Sequence, residues 1–457
     1  MQKNTEKKNT ENKNIENKNI ESKNIDNENL QDKSFKSPNR TNLNMSNKKR
    51  KKSAIIYISI AMITVLLNVI AWNSTAFCDA YIAYVFPIWV NTYGRVTGLF
   101  PFSVGEWMLV TGVVLVAAAV LTGVAGGVVG ISSWMKKVSE YRTDGRTENT
   151  CAENESFEEP EVEIVKFIKM FYKYFAWIVL GVCVIMTLNC SILYHASTFS
   201  ENYFGKDNGE YTLEQFIEVY NYVAEACNRL CQEVPRDEEG KIVYSGNAMA
   251  DEAIVCMQKL GETYPQLDGW YPRPKPMMFS DFMCQQYMCG YYFPFSMEAN
   301  YNDVMYIMNK PATLCHELAH LRGYIYEDEA NFIAYLACLE SEDAVFQYSG
   351  YLSVITYLYN DLYKAYTDEP EAYQQAVSEV SPVPVLSQVW EDNIFVEQEE
   401  WDRINGKALL DTETVDEISD TFTDTTLKLN GVSDGMVSYS RVVRLLLQYY
   451  ASEGMIP

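Results

Sequence analysis

Histidine is almost absent, with three in 457 residues. Imidazole chemistry must therefore draw on His195, His316 and His320 alone. The 11 cysteines form no Cys-x-x-Cys pair and follow no regular spacing, so no disulfide pairing is assigned. Cys183 and Cys190 fall in an apolar run and read as small hydrophobes. Positive charge is scarce beyond His195, where 43 Asp and Glu face 15 Lys and Arg. With a net charge of -24 the chain excludes nucleic acid as a partner. The deficit is one-sided, because residues before His195 carry 18 acids and 22 bases. An acidic, solvent-facing C-terminal part thus follows a basic, apolar N-terminal part suited to a membrane.

Charge is missing altogether from three long runs. Ser53 to Trp72 follows the basic cluster Lys48-Lys49-Arg50-Lys51-Lys52 and is long enough, at about 20 residues, to cross a bilayer. It lies too far from the N-terminus for a cleaved signal peptide, and further spans follow. Trp107 to Ile131 is equally apolar, and Gly112, Gly123, Gly126 and Gly127 suit close helix contacts in lipid. Tyr174 to Leu193 is the third, with Tyr174 and Trp177 as interfacial anchors. Lys and Arg gather before the first span, after the second (Lys136, Lys137, Arg142, Arg146) and before the third (Lys166, Lys169, Lys173). Only Arg95 stands between the first two. This asymmetry predicts a cytoplasmic N-terminus and a cytoplasmic 132–173 loop, with everything after His195 outside the cytoplasm. The aromatic 73–105 segment is expected to be a loop in the membrane interface.

Three regions follow. Residues 1–47 repeat a Lys-Asn-x-Glu-Asn pattern that suits neither helix nor strand burial and read as a disordered tail. Residues 48–194 form the membrane region, with spans at about 53–72, 107–131 and 174–193. Residues 195–457 form an extracytoplasmic domain of mainly helical α+β class. Leu213, Phe216, Ile217, Tyr220, Val223, Cys227 and Leu230 recur at helical spacing behind a Thr212/Gln215 capping box. A helix over about 248–260 is expected to stop at Gly261. Tyr271 to Pro276 is too proline-rich for regular structure, and Gly290 to Phe295 reads as a short edge strand.

The remaining two histidines carry the chemistry. His316-Glu317-Leu318-Ala319-His320 follows Pro311, which suits a first helical turn. Four-residue spacing sets both imidazoles on one helix face, where they can grip one zinc ion. Glu317 lies within reach of a water on that ion and is the expected general base. Gly323 ends the helix, and a second opens near Glu327. Zinc in a hydrolytic site wants three protein ligands and an open position. Glu327 is favoured as the third, because Asn331 stands one turn later and can orient a ligand; Glu329 is the alternative. Arg322, Tyr324 and Tyr326 lie close in sequence but are more simply read as packing residues.

At these residues the chain resembles the glutamate-ligand branch of the HExxH zincin metallopeptidases. More narrowly it resembles a bacterial family of multi-pass membrane proteins, domain of unknown function 3810. The resemblance is carried by Tyr271 to Pro276, Gly290 to Asn302, His316 to Gly323, Glu327 to Cys338 and Tyr348-Ser349-Gly350, and extends from about Ala54 to Tyr450. It implies three transmembrane helices followed by a mainly helical α+β zincin-like domain, with the Gly290–Phe295 edge strand holding a peptide by strand addition. The leading expectation is a membrane-anchored zinc peptidase whose Glu317 activates a zinc-bound water. Its partners are then the lipid bilayer and an unidentified peptide or envelope substrate. The alternatives are a non-hydrolytic zincin-like sensor or binding protein, and a hydrolase of a non-protein envelope molecule.

Overall fold

Helix dominates the computed structural model, which describes residues 40–143, 160–205, 211–246, 248–429 and 439–455. Most of the repeat tail (1–39) and part of the expected connector (144–159) lie outside the described residues. Two compact units are distinguished, 1–62 and 63–457. The helix Arg40–Asn73 begins before the basic cluster, whereas the sequence pattern predicts an unstructured tail to 47. No proline or glycine separates Arg40 from the apolar run, so a helix nucleated there propagates backwards.

Among the described residues, three helices are long and apolar enough to cross a membrane, over Lys51–Asn73, Val104–Ser132 and Glu163–His195. The third begins earlier than the uncharged run because Lys166, Lys169 and Lys173 sit on its first turns, where long stems let the ammonium groups reach water. It ends in a π turn, Thr187–Ser191, and a 3-10 turn, Leu193–His195. Of the glycines expected at helix contacts, Gly123 meets Tyr172 and Gly126 meets Ile168, whereas Gly112 and Gly127 face open space.

The 73–105 segment is not a loop but a string of short helices. Ser74 caps Thr75–Tyr84 by accepting from the Phe77 amide at 3.2 Å, and Phe86–Trp89, the π turn Val90–Gly94 and Arg95–Thr97 follow. Cys78, Tyr81, Ile82, Phe86 and Val90 are buried in the same core as the C-terminal helices. Part of its aromatic and apolar composition therefore serves a packed face.

That core is formed by Leu213–Glu233, Met249–Thr263, Lys310–His320, Glu327–Leu339, Ala344–Asp368 and Tyr439–Ser452. The capping box at Thr212 is reciprocal, with Gln215 answering. Gly261 does not end its helix, which runs on to Thr263. A Cβ there would stand 2.9 Å from the Asp268 backbone, so glycine serves a close chain crossing rather than a stop.

A three-stranded sheet flanks these helices in the order β1-β3-β2, with β1 Lys275–Pro276, β2 Gly290–Phe293 and β3 Glu298–Tyr301. β1 runs parallel to β3, so the proline-rich stretch ends in a strand after all; β2 is antiparallel, pairing Gly290 with Tyr301 and Phe293 with Glu298. β2 is an edge strand. Buried Glu298 joins the sheet to the second apolar helix. It accepts from Lys275 Nζ at 2.5 Å and from the Val104 and Gly105 amides at 3.2 and 2.8 Å. Lys275 also donates to the Thr97 and Phe102 carbonyls, so the buried pair is fully satisfied.

Candidate metal centre

Two helices and a glycine turn build the site. Lys310–His320 opens with Pro311 in its first turn and closes at His320. The chain then reverses through Gly323, whose φ of +90° lies in the left-handed region and whose missing Cβ leaves room for Ile82. The second helix starts at Glu327, with Tyr326 at its N-cap. The reversal returns Glu327 to the face bearing both histidines.

His316 Nε2 stands 3.1 Å from His320 Nε2. Glu327 brings one carboxylate oxygen to 3.0 Å from His316 Nε2 and the other to 3.8 Å from His320 Nε2. Ligand atoms of the three residues all lie within 4.8 Å of one another. Glu329 turns away and accepts from the Phe199 amide at 2.5 Å.

The far nitrogens of both rings are committed. His320 Nδ1 lies 2.7 Å from the Tyr324 carbonyl, which only accepts, so Nδ1 carries the proton. His316 Nδ1 lies 2.8 Å from Asn331 Oδ1, while the Asn331 amide nitrogen faces the Tyr357 hydroxyl at 3.5 Å. With both Nδ1 atoms committed, the two Nε2 atoms face each other and the Glu327 carboxylate, where a shared cation can take the place of a proton on His316. Nitrogen ligands about 2.0–2.1 Å from a tetrahedral zinc stand about 3.3–3.4 Å apart. The observed spacings bracket that value, and the donor set suits zinc.

Glu317 is 3% exposed, and its Oε2 has no hydrogen-bond partner among the described residues. Burial pushes its carboxyl up to about 8, with the Glu327 charge adding to the rise and His316 opposing it. Burial lowers His320 to about 4. Burial also disfavours the His316 cation, but the hydrogen bond and charge of Glu327 outweigh it and lift His316 to about 9. Glu327 is the open side of the site, its side chain 57% exposed against 14% for His316.

Two neighbours on β2 escaped the sequence reading. A Cβ on Gly290 would sit 2.3 Å from Glu317 Oε1, so only glycine lets the strand approach the carboxyl this closely. Tyr291 is partly exposed, its phenol pushed up to about 12 by burial first and then by Cys190 and Glu317. No periodicity marks either residue. The other nearby candidates are engaged elsewhere. Arg322 lies over the Tyr271 ring and donates to the Trp270 carbonyl, and Tyr326 donates to the Tyr194 carbonyl. Tyr324 contributes its backbone carbonyl, and His195 packs on Trp72.

Residues 151–447 match the family model described as Protein of unknown function (DUF3810). The match begins beyond the first two apolar helices, later than the sequence resemblance. No curated protein and no solved structure matches the chain.

Proposed function

We propose that this chain, which belongs to the DUF3810 family, is a membrane-anchored zinc-dependent metallopeptidase. In this reading it is a zincin of the glutamate-ligand kind, working outside the cytoplasm on the side dictated by the Lys and Arg asymmetry. The observation that carries the reading is the pair of imidazoles with committed Nδ1 atoms whose Nε2 atoms converge, 3.1 Å apart, on the Glu327 carboxylate. His316, His320 and Glu327 hold the ion. Zinc, when bound, supplies a Lewis acid that polarises the scissile carbonyl and acidifies the attacking water.

The chain's own residues do the rest. Asn331 and the Tyr324 carbonyl fix the ring orientations and raise ligand basicity. Glu317 takes the proton from the attacking water and returns it to the leaving nitrogen. Tyr291, whose phenol feels the Glu317 charge and keeps its proton at working pH, is a candidate donor to the developing oxyanion. β2 pairs with β3 on one side and offers its other edge to an extended peptide.

The test is Glu317→Gln in the purified full chain. Zinc content and folding are expected to match wild type, since the three ligands are untouched. Cleavage of a peptide library is expected to fall by about 10²–10⁴. If Glu317→Gln keeps wild-type function in cells where His316→Ala loses it, the ion is structural and the peptidase reading fails.

A further inference from the structure

The metal centre sits one side chain away from a membrane helix. The Tyr292 ring lies 5.8 Å from the His320 ring. Its hydroxyl donates to the Asn189 carbonyl at 3.2 Å. Asn189 belongs to the π turn that closes the third apolar helix, and its side-chain amide donates to the Pro294 carbonyl at 2.8 Å. The edge strand is thus tied to the third helix directly behind its site-facing residues.

The second apolar helix meets the same strand. A Cβ on Gly105 would stand 2.5 Å from the Phe293 ring, so helix and strand are in close contact. In the helix's first turn, buried Glu106 accepts from the Met278 and Phe279 amides at 3.0 and 2.7 Å. The loop around them therefore lies level with residues inside the apolar span. Met278 is 63% exposed, Phe279 48% and Phe282 52%, beside Trp107 at 47%. In water such a set of apolar groups is costly; continuous with a membrane helix, it is a rim resting in the bilayer interface.

We propose, building on the peptidase reading above, that the substrate is a polypeptide tethered to the membrane and cut within a few residues of the bilayer surface. The site is fastened to the ends of two membrane helices, and the free edge of β2 is held at that level. A tethered chain reaches it at an effective concentration in the millimolar range for short linkers, whereas a dilute soluble peptide must diffuse to it. A polar, open cleft of about 660 Å³, lined by Trp72, Asn73, Tyr194, His195, Ser197 and Glu201, lies at the end of the third helix. Tyr194 links that cleft to the metal centre through its carbonyl, which accepts from Tyr326 at 2.7 Å.

The experiment is a molecular ruler. The full chain is reconstituted in phosphatidylethanolamine–phosphatidylglycerol vesicles. One randomised peptide library is supplied either free at about 1 μM or on a lipid anchor through Gly-Ser spacers of about 3, 8 and 20 residues, the longest reaching at most about 70 Å. Cleavage is expected with the shortest spacer, about 10²–10³-fold faster than for the free library, and declining as the spacer grows. Cutting only behind the longest spacer, or equal rates for free and anchored libraries, overturns the tethered-substrate proposal and leaves the peptidase reading standing. Cutting in no arm, with Glu317→Gln indistinguishable from wild type, overturns both.

Discussion

Gly290→Ala isolates the placement of Glu317 from its chemistry. The added Cβ would stand 2.3 Å from Glu317 Oε1 and 2.8 Å from both Cδ and Cγ, where ordinary contact begins at 3.4 Å. The carboxyl must therefore retreat by about 1 Å, a displacement that costs about 10²-fold in rate, or ~2.7 kcal/mol in the barrier. Gly290 is not among the glycines with positive φ, so the backbone accepts alanine without strain. Overpacking costs about 1–3 kcal/mol of stability, offset in part by ~0.4–1 kcal/mol from a less flexible unfolded chain. The three metal ligands are untouched, so zinc per chain stays at the wild-type level. Library cleavage, zinc content and the thermal midpoint in detergent are read together. Gly406→Ala, in a helix with open space around its Cβ, is the control and leaves all three unchanged or slightly improved. Wild-type cleavage by Gly290→Ala would refute the idea that β2 positions the general base.

Asn331→Ala removes the partner of His316 Nδ1, and zinc affinity measured by chelator competition is expected to drop about 10–100-fold. Glu327→Ala is expected to lose most bound zinc and Glu329→Ala little; the reverse order in metal analysis would reject the geometric assignment. Lys275→Met strands the Glu298 carboxylate in a buried site, and denaturant unfolding in detergent is expected to register a loss of about 3–5 kcal/mol. A reporter after Ser200 or at the C-terminus is expected outside the cytoplasm and one near Thr147 inside, an order that a cytoplasmic C-terminus would overturn.

What the sequence disclosed, it disclosed through periodicity and caps. The three apolar runs, the Thr212 capping box, the Pro311 start and the Gly323 turn are local signals, and each has its counterpart in the structure. The misreadings came from tertiary contacts. Gly261 carries a stop signal, yet its helix continues because the Asp268 backbone needs the space. The 73–105 segment reads as a loop from its aromatic composition, yet it folds into short helices. Cys78, Tyr81 and Ile82 nevertheless pack into the main core, where partners distant in sequence supply the burial. Gly290 could not be found by any pattern, since its role is set by Glu317, 27 residues later, across a strand–helix contact.

Glu327 and Glu329 are separated by helix phase, which composition alone leaves open. Both are glutamates in one short acidic stretch, and both follow the second histidine closely. Glu327 is the first residue of its helix, facing back across the turn toward His316. Two residues on, the helix has rotated by about 200°, which carries Glu329 to the opposite side. There it is 4% exposed and receives the Phe199 amide at the start of the short helix Phe199–Tyr203. Burial raises its carboxyl to about 8, with neighbouring Asp328 adding to the rise. The more exposed glutamate thus faces the imidazole nitrogens, and the buried one anchors the same helix to the residues just past the third apolar span. Two glutamates separated by one residue thus face different ways, one toward the imidazoles and one toward the residues just past the third apolar helix.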